Sequence, residues 1–206
     1  MAPVSNADSQ PRTRREKYIP QVITGDLDSL RPEVREFYSS RGCKIVTQKD
    51  QDRNDLTKCL DYLDASQGYV CIYGGTGGRF DQSMASLSSL FKFHSKFPRL
   101  LLIDEETTVT LLKATGRGEE HVLRMAGREG PLCGLVAMEG AVKCTTGGLK
   151  WNIEDGNYVL GFGGEGIVSS SNEFVLGREV RVTCDGSLAW TTHLRNEESE
   201  NKGEKL

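Results

Sequence analysis

With 206 residues and a formal net charge of -3, the chain is long enough to bury about 70% of its unfolded surface without an external staple, and its charge argues against bulk electrostatic binding of nucleic acid. No apolar stretch approaches the ~20 residues that cross a bilayer, and the first residues lack the apolar core of a signal peptide, so a soluble, cytoplasmic protein with no membrane partner is expected. Cys43, Cys59, Cys71, Cys133, Cys144 and Cys184 show no C-x-x-C spacing, and His94, His121 and His193 no zinc-type spacing. Reduced structural thiols are expected, with neither a zinc site nor a histidine-based nucleophile indicated.

Residues 1–17 are polar, carry Arg12, Arg14, Arg15 and Lys17, and have no apolar periodicity; they read as a disordered leader. Residues 18–23 read as a short apolar strand that runs into Thr24-Gly25-Asp26-Leu27-Asp28-Ser29. Two carboxylates ~4 Å apart repel by roughly 4 kcal/mol at an effective dielectric near 20, so this acidic pair calls for a cation, and the end of a strand is where open α/β sheets bind ligands. Pro32 suits a first helical position, and Val34, Phe37 and Tyr38 fall on one face of a short helix stopped by Gly42. Residues 44–47 read as a strand. A second acidic cluster, Asp50-Gln51-Asp52-Arg53-Asn54-Asp55, opens a helix with Leu56, Cys59, Leu60 and Leu63 at i, i+3, i+4, i+7, where negative charge suits the dipole. Asp52 fits capping and function equally; Asp55, beside Lys58, reads as functional.

Residues 69–73 form an apolar run that leads into Gly74-Gly75-Thr76-Gly77-Gly78-Arg79-Phe80-Asp81 and then a helix with Phe80, Met84, Leu87 and Phe91 on one face. Strand, glycine loop, helix is a phosphate-cradling order. No Gly-Lys-Ser/Thr follows, so this is not a Walker A loop; backbone amides and Arg79 would hold anionic oxygens, with a plain tight turn as the alternative. Residues 99–104 and 107–112 read as a strand pair. Three acidic sites and one glycine loop suggest a metal-nucleotide centre.

From Gly116 the pattern changes to short alternating runs divided by glycines, with strands expected at 121–124, 132–138, 141–146, 157–162, 166–170, 179–184 and 189–194. The G-x-G-x-x-G at residues 161–166 is followed by strand rather than helix, so no dinucleotide site is expected there. The charged residues 196–206 read as a solvated tail. The expected organisation is a leader (1–17), a Rossmann-like α/β nucleotide-binding domain (18–115), an all-β sandwich or barrel-like domain (116–195) and a disordered tail (196–206).

The acidic turn with Arg31-Pro32-Glu33-Val34, the run from Asp50 through Asp55-Leu56-Thr57-Lys58-Cys59, and Gly74-Gly75 through Gly78-Arg79-Phe80-Asp81-Gln82 together resemble eukaryotic thiamine pyrophosphokinases. So do Cys133-Gly134-Leu135, Thr145-Thr146-Gly147-Gly148-Leu149-Lys150-Trp151, Ser169 to Asn172, and Leu188-Ala189-Trp190-Thr191. The resemblance implies transfer of a diphosphate from ATP to thiamine, giving thiamine diphosphate and AMP, in a homodimer whose thiamine sites lie between subunits. It implies Mg²⁺ on Asp26, Asp28 and Asp55, phosphates on Arg79 with Gly74, Gly75 and Gly78, support from Gln51 and Lys58, and an orienting role for Asp81 toward nucleotide or alcohol. The alcohol proton would pass to a carboxylate or to a metal-polarised water. Trp151, Ser169, Ser171 and Asn172 resemble the thiamine-facing region, with an aromatic core plug as the alternative for Trp151.

The family's upstream strand and Asp-Gly-Gly-Ala-Asn-type motif have no match in residues 1–17, so the expected α/β domain is incomplete, and residues 153–166 are longer than the family norm. A truncated chain that binds thiamine or nucleotide without efficient turnover is the competing reading. A metal-dependent nucleotide transferase acting on another alcohol is a third.

Overall fold

The structure is a computed structural model that describes residues 14–116, 119–154, 158–175 and 177–195. The chain divides into two compact units, residues 1–64 and 65–206. In the first, Arg14–Lys17 forms one helical turn (α1), which corrects the expectation of disorder through residue 17; residues 1–13 lie outside the described residues. Strands β1 (Val22–Gly25) and β2 (Lys44–Thr47) pair in parallel, Val22 opposite Lys44 and Gly25 opposite Thr47. The first strand therefore starts four residues later than the apolar run, because Pro20 has no amide hydrogen to extend the ladder. Helix α2 (Pro32–Ser39) connects the strands; it starts on Pro32, whose missing N–H costs nothing at a first helical position. Helix α3 (Asp55–Tyr62) follows β2, and its cap is Asn54, whose side chain accepts from the Thr57 amide at 2.8 Å. Asp52 is not the cap.

The second unit begins with β3 (Val70–Tyr73), α4 (Phe80–Phe93) and β4 (Leu100–Ile103), with β3 and β4 parallel. Strand β5 (Thr107–Leu112) turns back antiparallel on β4. Then come β6 (His121–Leu123), β7 (Glu129–Ala137), β8 (Val142–Gly147), β9 (Val159–Leu160), β10 (Ser169–Glu173), β11 (Val180–Cys184) and β12 (Leu188–Leu194). Because β12 pairs with both β5 and β7, one mixed sheet runs β10-β7-β12-β5-β4-β3 and a second runs β6-β11-β8-β9. The β5–β12 ladder ties β3 and β4 into the β-rich half, so compactness divides the chain at 64/65, whereas the sequence pattern changes at 115/116. The expected strand at 166–170 is displaced to Ser169–Glu173, and the expected tail at 196–206 lies outside the described residues.

The core of this unit is a two-sheet sandwich filled by alternate residues: Cys133, Leu135 and Ala137 of β7, Val142 and Cys144 of β8, Val180, Val182 and Cys184 of β11, and Leu188 and Trp190 of β12. Helix α4 is where hydrophobic periodicity misled. Its buried residues are Ser86, Ser89, Leu90 and Phe93, none of them on the expected apolar face of Phe80, Met84, Leu87 and Phe91, and Phe80 is 75% exposed. Serine is small enough for close helix-to-sheet packing, and the hydroxyls of Ser86 and Ser89 satisfy themselves on the carbonyls of Gln82 and Ala85, both at 3.1 Å. No described helix is long and apolar enough to cross a membrane.

Candidate functional site

The acidic turn sits where β1 ends, and it is built around an internal cation. Lys58, one turn into α3, is only 1% exposed, and its Nζ lies 2.9 Å from Asp26 Oδ2 and 3.1 Å from Asp55 Oδ1. Asp55 Oδ1 also accepts from the Asp26 amide at 3.2 Å, and Asp26 Oδ1 accepts from the Asp28 amide at 3.3 Å. The hydrogen bond from Lys58, then that from the Asp28 amide, holds the Asp26 carboxyl below the usual carboxylate range; the bond to Asp26 in turn raises the Lys58 ammonium against the opposing effect of desolvation. Close approach requires a glycine here: a Cβ on Gly25, whose φ is +153°, would lie 2.8 Å from Asp55 Oδ1. Leu27, between the two acids, has φ +64°, a left-handed conformation that costs a side-chain-bearing residue about 1–2 kcal/mol. Such strain collects at functional sites.

The cation that the acidic pair calls for is thus partly supplied by Lys58. Both Asp26 oxygens are engaged, whereas Asp28 is exposed and the Asp55 side chain is 56% exposed. Among the described residues no three His, Cys, Asp or Glu side chains form a ready-made metal cluster. An all-oxygen donor set of one or two accessible carboxylates fits Mg²⁺, which keeps several waters and takes its remaining oxygens from phosphates. Gln51 is exposed on the turn before α3. Sequence reasoning missed Gln48, whose Nε2 donates to Thr24 Oγ1 at 2.8 Å and to the Lys58 carbonyl at 3.0 Å, bracing β1 against α3.

In the second unit, the glycine loop leaves β3 with Gly74, Gly77 and Gly78 at φ +74°, +83° and +64°, conformations that glycine adopts freely. Arg79 stands at the N-cap position of α4 without capping it. Its Nε donates to Asp81 Oδ1 at 3.1 Å and its Nη2 to Asp81 Oδ2. This hydrogen bonding lowers the Asp81 carboxyl and raises the Arg79 guanidinium. A carboxylate in the guanidinium fork occupies the geometry that two phosphate oxygens would take. Asp104, also missed, directly follows β4 and reaches this loop through Thr76. It accepts from the Thr76 hydroxyl and from the amides of Glu106 (2.8 Å) and Thr107 (2.7 Å). Burial alone would raise its carboxyl; those hydrogen bonds keep it low. Its position after the apolar run 100–103, at the carboxyl end of a parallel strand, was the available signal.

The remaining expected residues lie around β10. Trp151 is 54% exposed with Lys150 Nζ 4.5 Å from its ring centre, which removes the core-plug alternative; the aromatic plug is Trp190. Asn172 is buried and holds the Trp151 backbone, accepting from its amide at 3.4 Å and donating to its carbonyl at 2.8 Å. Ser171 is exposed with φ +60°, and the β10–β7 register shifts between Ser169 and Asn172. A bulge re-aims side chains, and here it lies beside an exposed tryptophan. An open groove of about 1190 Å³, lined by Tyr73, Ile103, Asp104, Thr110, Glu129 and Trp190 among others, contains none of the site residues expected from the sequence.

The first unit thus holds a parallel strand pair with an acid-rich strand end, and the second a glycine loop followed by a β-sandwich with an exposed aromatic. Residues 6–102 match the family model described as thiamin pyrophosphokinase, catalytic domain, and residues 120–188 match thiamin pyrophosphokinase, vitamin B1 binding domain. The chain is 39% identical over 191 residues to thiamine pyrophosphokinase 1 of Oryza sativa subsp. japonica, covering 88% of this chain and 69% of that protein. It is 34% identical over 190 residues to thiamine pyrophosphokinase 1 of Arabidopsis thaliana, covering 88% and 68%. Its fold is similar to that of thiamin pyrophosphokinase from Candida albicans, with TM-score 0.73, 25% identity, and 88% and 75% of the two chains covered. The chain belongs to the thiamin pyrophosphokinase family.

Proposed function

We propose that this chain is a thiamine diphosphokinase that transfers the terminal diphosphate of ATP to the hydroxyethyl oxygen of thiamine, giving thiamine diphosphate and AMP. The observation that carries the reading is the acidic turn: family membership predicts an acid-rich centre, and Lys58 joins Asp26 of the strained turn to Asp55 at the start of α3, with Asp28 exposed two residues after Asp26. Such transfer depends on positioning and charge neutralisation rather than covalent catalysis. Mg²⁺, when bound, would neutralise charge on the phosphate oxygens, held by Asp28 and Asp55 with Asp26 completing the set. Arg79, released from Asp81, would grip the phosphates together with the amides of Gly74, Gly75 and Gly78, and Gln51 would add a polar contact to the nucleotide. Lys58 supports this centre through the carboxylates it pairs. Asp81, freed in the same exchange, orients nucleotide or alcohol.

In this reading the α/β portion from 18 to 115 is a Rossmann-like nucleotide-binding domain, and residues 116–195 bind thiamine, with Trp151 as stacking surface, Ser169 and Ser171 as polar contacts, and Asn172 in the same thiamine-facing region bracing the Trp151 backbone. The protein acts as a cytoplasmic homodimer with the thiamine site between subunits. Incubating purified protein with ATP and Mg²⁺, with and without thiamine, tests the activity: AMP that accumulates only with thiamine supports it, and thiamine-independent consumption of ATP would replace it with a transferase acting on another acceptor.

A further inference from the structure

Cys144 and Cys184 are direct partners across the antiparallel β8–β11 ladder, and both side chains are buried, at 5% and 4% exposure, in the same sandwich core. Directly opposed residues of an antiparallel pair point to the same face of the sheet. The hydrogen bonds fix which kind of pair this is. The amide of Cys184 donates to Thr115 Oγ1 at 3.0 Å, and its carbonyl accepts from the Thr115 amide at 2.9 Å, so its backbone groups face Thr115 and not Cys144. The next pair carries the ladder bond, from the Asp185 amide to the Lys143 carbonyl at 3.1 Å. Cys144 and Cys184 therefore occupy a non-hydrogen-bonded site, where Cα atoms approach to about 4.5 Å and side chains are closest. That spacing lies within the range a disulfide spans, Cα separations of about 4.4–6.8 Å.

We propose that Cys144 and Cys184 form an oxidisable cross-strand dithiol that closes to a disulfide when the protein meets a peroxide. One thiolate attacks the peroxide oxygen, giving a sulfenic acid and, with hydrogen peroxide, water. The second thiolate then displaces the sulfenic oxygen as a second water, so two thiols and one hydrogen peroxide give one disulfide and two waters. Burial pushes the Cys144 thiol up to about 12 and raises that of Cys184, so closure is slow at neutral pH and faster in alkali. Strand β8 runs directly into Gly147-Gly148-Leu149-Lys150-Trp151. The bond would thus pin the strand that leads into Trp151 to its inner neighbour β11. This dithiol is independent of the assignment of activity.

The test is thiol mapping on the intact wild-type protein. After treatment with hydrogen peroxide at pH 7 and at pH 9, free thiols are blocked with N-ethylmaleimide in denaturant and the digest is read by mass spectrometry. The expected product is one linked pair of peptides containing Cys144 and Cys184, two hydrogens lighter than their sum, formed faster at pH 9 and lost on treatment with dithiothreitol. In Cys144→Val and Cys184→Val, chosen to keep the buried volume apolar, the remaining cysteine should be recovered blocked by the maleimide. Recovery of both wild-type cysteines as maleimide adducts, under conditions that fully oxidise exposed Cys71, would overturn the proposal, as would a disulfide joining either one to a different cysteine.

Discussion

At the scale of single residues, Lys58 governs the acidic turn, and its pH signature can be worked out. Asp26 is depressed by Lys58, so its share of stability is fully present above about pH 4 and is lost as pH falls through its lowered folded value. Lys58 is raised by Asp26, so its share is full below about pH 10 and is lost as pH climbs through its folded value. In Lys58→Met two carboxylates face each other without a counter-charge, repulsion favours the protonated form, and stability should rise between pH 7 and pH 5 while the wild type stays level. Urea midpoints against pH read this directly, and parallel profiles would contradict the internal-cation role. Asp28 is exposed and outside the Lys58 pairs, so Asp28→Asn should leave the urea midpoint unchanged or slightly higher while lowering kcat on the order of 10²-fold, the usual loss for one preorganised electrostatic group. Near-normal turnover at saturating Mg²⁺ would remove it from the metal site. The acids themselves were legible in the sequence, because repulsion between close carboxylates demands an explanation. Lys58 was legible as a supporting residue beside Asp55, but its place as the buried cation between Asp26 and Asp55 was not, since only the packing of α3 turns it inward.

The two functional loops depend on how their flanking elements end. Helix α3 carries both Asp55 and Lys58, and Asn54 holds its first turn. Asn54→Ala should therefore cost about 1 kcal/mol of stability, seen as a lower urea midpoint, and should also raise the Mg²⁺ concentration needed for half-maximal turnover. Loss of stability with an unchanged Mg²⁺ requirement would separate the cap from the site. At the start of α4, the planar fork of Arg79 already holds a carboxylate, so Arg79→Lys should raise the KM for ATP on the order of tenfold with a smaller effect on kcat; an unchanged KM would rule out a two-point grip. Element type was readable almost throughout, because β2, α2 and α4 follow simple apolar spacing with proline and glycine punctuation. The inward face of α4 was not readable, because Ser86 and Ser89 are polar by composition and buried by packing. The start of β1 was set by Pro20 and by pairing with β2, neither of which hydropathy records.

For the whole molecule, burial is unevenly distributed. Up to Asp64 the buried described side chains are Cys43, Thr57, Lys58 and Leu60, two of them polar, and α2 buries none, whereas β7, β8, β11 and β12 enclose a continuous apolar core. Amide exchange should therefore be faster at Val22 and Ile23 than at Leu188 to Trp190 in the central strand β12, and uniform protection would contradict this division. Leu135→Ala, at a fully buried position, should cost about 2–5 kcal/mol. The break in sequence pattern near 115 and the break in compactness at 64/65 differ because β5 pairs with β12 far along the chain, a long-range ladder that no local pattern encodes. The central claim is that one diphosphate moves intact from ATP to thiamine in an acid-rich centre. It is tested most directly by supplying thiamine with ATP labelled at the β-phosphate, or separately at the α-phosphate, and following the label. The expected result is β-label in thiamine diphosphate and α-label only in AMP, with no ADP intermediate. Label in ADP or thiamine monophosphate, or none on thiamine, would contradict it.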